Sequence, residues 1–373
     1  MQSFELSIDV TEAVQLGIQA HTAANVYLPD APVVERPIVC FAFPGGGYNR
    51  RYYALNLDDE VGGQATFHTR RGWIFVACDH IGVGDSTVPE GNVLTYENVA
   101  RANQAAVNTV MEKLEQGTLS PSIAPVTDAV KLGIGQSMGG CFTIILQGQH
   151  APFDGIALLG YSAAHTTVPP APGKPPLPWP WIVRGSDPDQ PIVVNKAAMA
   201  RATRDFDEGK SLVAGGKEED HTVDWTSLVH RLQQNLAAAG KEHPYRWAFH
   251  YDDVPADLVV TDLNAKNADG SLPYWRSQTA PLCAVQMVTP GTVAPEAAAI
   301  TVPVMVASGE RDVVPQPKNE PLAFHSSSDV TVYICPRMGH MHNFASTRQL
   351  FWARLHQWGS GVAESHRLCG QLF

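Results

Sequence analysis

The chain has little that would tie it to redox chemistry, nucleic acid, membranes or metals. Its six cysteines (Cys40, Cys78, Cys141, Cys283, Cys335 and Cys369) are scattered through 373 residues, with no CxxC spacing. That excludes a zinc ribbon and a dithiol redox motif. The cysteines read instead as small buried hydrophobes of a reduced compartment, so a cytoplasmic location is expected. No basic tract interrupts a formal net charge of −11. Nucleic acid and anionic membrane surfaces are therefore not expected partners. No stretch approaches the roughly 20 apolar residues of a membrane span. The first residues lack the basic-then-apolar layout of a secretory signal. Among fourteen histidines only His340 and His342 stand close together, and no thiol or carboxylate neighbours them in sequence. No metal and no cofactor are expected.

What is present is enough apolar material, 44% of the residues, for one large domain or a core carrying a second unit. Residues 4–10 alternate like a half-exposed strand, and residues 25–28 are its expected hairpin partner. Residues 37–43 and 73–78 are continuous apolar runs, the mark of strands buried on both faces. Residues 55–71 read as a helix, weakened by Gly62 and Gly63. Thr95 reads as the N-cap of a helix to Leu114, with Val99, Ala102, Ala106, Val107, Val110 and Met111 at helical spacing. Residues 129–134 and 155–160 add further strands. Buried strands alternating with amphipathic helices predict an α/β fold: a mostly parallel central sheet flanked by helices. The alternation lapses after Tyr161. Residues 168–181 are too rich in proline for helix or central strand. Helices are expected over 195–207 and 222–239, then an irregular aromatic stretch over 245–275. Strands return at 302–307 and 330–334, with a helix over 347–358. The expected organisation is a core of residues 1–163 and 301–373 with an inserted cap of residues 164–300.

The chemistry centres on Gly135-Gln136-Ser137-Met138-Gly139, where a strand gives way to a helix. A serine on so sharp a bend has strained backbone and an exposed Oγ. Small neighbours at Gly135 and Gly139 let strand and helix approach. A serine hydroxyl needs a base, and the base needs an orienting carboxylate. Each should lie at the C-terminal end of a strand. The strand over 302–307 leads into Glu310 and Asp312. The strand over 330–334 leads into His340 and His342. Oxyanion donors are also required. The Met138 N–H follows the serine directly, and Pro44-Gly45-Gly46-Gly47-Tyr48 supplies a glycine turn after an earlier strand.

These motifs resemble those of α/β-hydrolase-fold serine hydrolases. Gly135–Gly139 is similar to the nucleophile elbow, and Gly45–Gly47 to the GGGX-type oxyanion loop of esterases and lipases, with Pro44 where the HGGG form has histidine. Residues 79–86 resemble the Asp-x-x-Gly-x-Gly-x-Ser turn. Residues 309–315 resemble the acid loop, and Gly339-His340 the histidine loop. The resemblance covers about half the chain and leaves the subfamily open. It implies Ser137 as nucleophile, Asp312 ahead of Glu310 as acid, His340 ahead of His342 as base, and Gly46, Gly47 and Met138 as the oxyanion hole. His342 is expected nearby, lining the pocket or bonded structurally. Asp79, His80 and Asp85 are expected to shape a turn, and Asp252-Asp253 to be a solvated pair. The implied activity is hydrolysis of a carboxylic ester or lactone of a compact apolar small molecule through an acyl-enzyme. A C–C bond hydrolase or acyltransferase with the same triad is the alternative. A non-catalytic ligand-binding protein on the same fold is the remote one. Oligomeric state is left open.

Overall fold

The computed structural model describes residues 1–30, 36–58, 60–119, 124–174, 181–186, 192–194, 196–210, 221–223 and 243–372. Its strands are β1 (Gln2–Asp9), β2 (His21–Leu28), β3 (Ile38–Phe43), β4 (Ile74–Cys78), β5 (Val130–Gln136), β6 (Gly155–Leu159), β7 (Ile192–Val194), β8 (His221–Val223), β9 (Val304–Arg311) and β10 (Val330–Gly339). Eight of them form one sheet in the order β1-β2-β4-β3-β5-β6-β9-β10. The β1–β2 and β2–β4 pairs are antiparallel, and every pair from β4 through β10 is parallel. β7 and β8 make a separate antiparallel pair.

The continuous apolar runs have a simple cause: both faces of the central strands are covered. On β3, Val39, Phe41 and Phe43 join one buried cluster with Tyr96 and Phe142. Ile38, Cys40 and Ala42, facing the other way, join a second cluster with Trp352 and Leu355. The helices Tyr96–Glu115 and Met138–His150 lie on the first face, and Arg348–Leu372 on the second. Thr95 caps the Tyr96–Glu115 helix through a reciprocal bond with Asn98, as its position predicts.

Several elements differ from expectation. The helix expected over 55–71 is only Gln64–Thr69. Gly62 has φ +72, and a Cβ on Gly63 would lie 2.7 Å from the Ala54 carbonyl carbon, so the chain folds tightly back where a helix cannot form. β9 and β10 run past their apolar stretches through Arg311 and Gly339, which pair across a bulge. The last helix extends to Leu372. Of the helix expected over 222–239, residues 222–223 belong to β8 and the rest lie outside the described residues. The stretch over 245–275 contains two helices, Arg246–Phe249 and Ala256–Leu263. No described helix is long and apolar enough to cross a membrane.

Candidate active site

β5 ends at Gln136, and the Met138–His150 helix begins one residue later. Ser137 joins them at φ 52, ψ −117, a conformation that costs roughly 1–3 kcal/mol for a non-glycine residue and persists only where the surroundings impose it. The flanking glycines are such surroundings. A Cβ on Gly135 would lie 2.1 Å from the Gly139 carbonyl oxygen, and one on Gly139 would lie 2.1 Å from the Phe43 carbonyl oxygen. The bend therefore closes only with glycine at both places.

Asp312 stands just beyond β9, buried, with both carboxylate oxygens occupied. Oδ1 is 2.7 Å from His340 Nδ1 and accepts the Val313 N–H at 2.7 Å. Oδ2 is 2.6 Å from His342 Nε2 and accepts the Gly309 N–H at 2.8 Å. Burial pushes this carboxyl up, but the imidazoles of His342 and His340 and their hydrogen bonds outweigh burial and hold it well below the usual carboxylate range. Gly160, the residue after β6, backs the pair: a Cβ there would come within 2.9 Å of His340 Nδ1 and 3.0 Å of Asp312. Glu310 points elsewhere. It is exposed and accepts the Arg337 N–H at 2.8 Å.

His340 Nδ1 is committed to Asp312, which leaves Nε2 directed at the cavity that Ser137 also lines. Among the described hydrogen bonds none joins Ser137 Oγ to this nitrogen. Gln136 Nε2 lies 3.4 Å from it while donating to the His340 carbonyl at 3.1 Å. Gln136 Oε1 occupies the place where a Cβ on Gly45 would sit, 2.1 Å away.

The Gly45–Tyr48 turn closes with the Tyr48 N–H donating to the Gly45 carbonyl at 3.1 Å, and Gly47 has φ +77. Gly46 lies against Met138, and Gly46, Ser137 and His340 share the cavity. No described hydrogen bond engages the Gly46, Gly47 or Met138 N–H. The Met138 N–H stands at a helix N-terminus, where the dipole favours negative charge.

The cavity measures about 210 Å³, below the usual range for drug-sized ligands. Its roof comes from the chain between β6 and β9: His243, Tyr245, Phe249, Leu263, Arg276 and Met287. The Arg246–Phe249 helix is tied to the histidine loop, with His340 N–H donating to Ala248 O at 2.8 Å and Met341 N–H to Phe249 O at 2.9 Å. Ser137 is only 8% exposed. Sequence reasoning missed these roof residues, and only the aromatic content of the segment hints at them. The described part of the proline-rich run, 168–174 and 181, does not line this cavity; the remainder lies outside the described residues.

Other expected residues divide. His342 does not line the cavity but bonds to Asp312 from behind, its ring packed on Phe351. Asp79 is buried against Arg50 at 2.7 Å, and Asp85 bonds Arg50 and Arg51, bracing the turn after β4. His80 is buried, stacked on Phe43 and bonded to Asn103. Asp252 is exposed, as expected of a solvated residue, and faces Arg311 at 3.3 Å, whereas Asp253 is half-buried and bonds Arg337 at 2.7 Å. Among the described residues no group of three or more His, Cys, Asp or Glu side chains is arranged to hold a metal ion.

No protein-family model matches the chain, and no curated protein matches it in sequence. Solved structures do match its fold. A proline iminopeptidase from Mycobacterium smegmatis superposes with a TM-score of 0.57 at 14% identity, over 97% of this chain and 100% of that one. A thermophilic esterase from Thermogutta terrifontis gives 0.52 at 12% identity, over 96% and 99%. A bromoperoxidase from Bacillus anthracis gives 0.54 at 12% identity, over 94% and 98%. The chain has the α/β-hydrolase fold. At such identities the likeness extends to the fold alone. Within the α/β-hydrolase fold, the strand ends that carry Ser137, Asp312 and His340 lie at one edge of the parallel sheet, where open sheets place their sites.

Proposed function

We propose that the protein is a serine hydrolase that cleaves a carboxylic ester or lactone of a compact small molecule. The observation that carries this reading is the joint placement of a strained Ser137 and an Asp312-bound His340 on one small, roofed cavity. Ser137 Oγ attacks the carbonyl carbon while His340 Nε2 takes its proton. The buried carboxylate of Asp312 holds the imidazole in the tautomer that accepts at Nε2 and stabilises the cation that forms. The N–H groups of Met138, Gly46 and Gly47 receive the oxyanion. His340 then returns the proton to the departing alcohol. Water enters by the same route to release the acid from Ser137. Residues 164–300 are the proposed cap, and the small volume beneath its described residues His243, Tyr245, Phe249, Leu263, Arg276 and Met287 favours short acyl groups over long chains.

The test is labelling with a serine-directed fluorophosphonate, read by peptide mass, alongside turnover of p-nitrophenyl acetate. One label at Ser137, with loss of both label and turnover in Ser137→Ala, is expected. Turnover retained in folded Ser137→Ala protein would sink the proposal.

A further inference from the structure

The cavity contains a charged group that the serine chemistry does not use. Among the described residues that line it, Arg276 alone is permanently charged, and no carboxylate lines it. Its placement is built, not incidental. Tyr48 and Arg276 face one another across an antiparallel bridge. Asn49 N–H donates to Trp275 O at 3.0 Å, and Ser277 N–H donates to Gly47 O at 2.9 Å. Asn49 Nδ2 donates to both the Tyr274 and Arg276 carbonyls. The oxyanion turn thus holds the arginine backbone, and the guanidinium lies over the Tyr48 ring with Cζ 4.1 Å from its centroid. A Cβ on Gly47 would come within 3.2 Å of Arg276 Nη2, so the side chain rests directly on that turn.

The nearest acid does not satisfy it. Asp262 is fully buried and already accepts from Tyr48 Oη at 2.7 Å and Trp275 Nε1 at 2.9 Å, with His250 Nε2 at 2.9 Å. Arg276 Nη1 is left at 3.8 Å from it, beyond hydrogen-bond distance. No described hydrogen bond uses a guanidinium N–H of Arg276, and its Nε is buried without a partner. The side chain is only 16% exposed. A guanidinium offers five donors in a planar fork that matches a carboxylate. Leaving them unused in a half-closed cavity is costly unless a ligand arrives to take them.

We propose that Arg276 binds a free carboxylate on the substrate, so that the cavity takes a monoester of a short dicarboxylic acid. The ester carbonyl sits at Ser137 and the free carboxylate on the guanidinium. This deepens the serine-hydrolase reading and rests on it. The reaction stays a hydrolysis: water oxygen bonds to the acyl carbon, the C–O bond to the alcohol breaks, and the alcohol leaves with a proton from His340. The cavity is small enough that one ligand filling it meets both groups, which limits the spacer between them to a few carbons.

The experiment compares kcat/KM of the purified full chain on mono-p-nitrophenyl glutarate and on its neutral p-nitrophenyl methyl glutarate counterpart. The carboxylate ester should be preferred by about ten- to a hundredfold, the value of a charge-assisted hydrogen-bonded pair. In Arg276→Met the ratio should fall to near one. Arg276→Lys keeps the charge but loses the fork, and its ratio should lie between. A second readout needs no turnover: free glutarate should raise the Tm of Ser137→Ala protein and not that of the Ser137→Ala, Arg276→Met double variant. A wild-type ratio near one, or a preference that survives in folded Arg276→Met or Arg276→Lys at its full size, overturns the proposal. If neither ester is turned over, the serine-hydrolase reading fails. The glutarate-induced Tm rise then still decides the anion site, and its absence overturns it.

Discussion

Replacing His342 by phenylalanine isolates the less familiar half of the acid's environment. Phenylalanine keeps a ring where His342 packs on Phe351, with centroids 4.4 Å apart. It removes the 2.6 Å contact from Nε2 to Asp312 Oδ2. The carboxylate keeps His340 and the N–H groups of Gly309 and Val313. One hydrogen bond to a charged group is worth about 1.5–3 kcal/mol. His342 Nδ1 is buried without a partner, and its removal returns part of that sum. The net loss of stability should be about 1–2 kcal/mol, a fall of a few degrees in Tm. Catalysis should lose less than when the base itself is removed. Asp312 remains tethered on three sides, so kcat should fall about tenfold, the equivalent of about 1.4 kcal/mol. His340→Ala should cost about a thousandfold or more. KM should not move, because His342 does not touch the cavity. The assay is steady-state hydrolysis of p-nitrophenyl acetate by both variants, with melting curves to establish folding. A raised KM at unchanged kcat would place the His342 ring in the binding surface and refute the reasoning. A kcat loss as large as that of His340→Ala would make His342 the base.

Asp312→Asn should lower kcat about a thousandfold or more, since an amide nitrogen on either side meets N–H donors and disturbs the tautomer of His340. Glu310→Gln, at an exposed site bonded to a backbone N–H, should keep kcat within about twofold; the reverse order would reassign the acid. The same asparagine variant carries a pH signature. The Asp312 carboxyl titrates below its ordinary value in the folded chain. Its stabilising contribution is therefore complete above about pH 4 and fades as pH falls below that. The Tm deficit of Asp312→Asn should be full at pH 6 and shrink toward pH 3, and a constant deficit counts against a depressed pKa. Finally, Gly139→Ala should prevent recovery of folded protein, because its Cβ meets the Phe43 carbonyl oxygen at 2.1 Å. Gly361→Ala, in the last helix with nothing within 4 Å, should stabilise by up to about 1 kcal/mol. Equal melting temperatures for the two would contradict the packing argument.

The parts of this molecule that are legible in its sequence are those whose physics is local. A strand buried on both faces must be a continuous apolar run, so β3, β4, β5 and β6 can be read directly. The loops that follow strands in a parallel sheet gather at one edge. For that reason Ser137, Asp312 and His340 can be placed near one another without knowing any contact between them. Local reading fails where the decisive neighbour is distant in sequence. Whether Gly62 and Gly63 interrupt a helix depends on the Ala54 backbone packed against them. Whether His342 faces the cavity or the back of Asp312 depends on which side of the carboxylate is already taken. Arg276 is the extreme case. Nothing around it in sequence marks it as part of a site. It lines the cavity with its backbone held by Asn49, 227 positions earlier, and its guanidinium stands 3.8 Å from an Asp262 that Tyr48, Trp275 and His250 already occupy. A cation's availability depends on everything its nearest acid already binds, and that is a property of the folded chain. On the proposed reading, selectivity would rest on how residues 274–277 pack against the Gly45–Tyr48 turn, whereas Ser137, Asp312 and His340 would do the chemistry from the ends of the parallel strands.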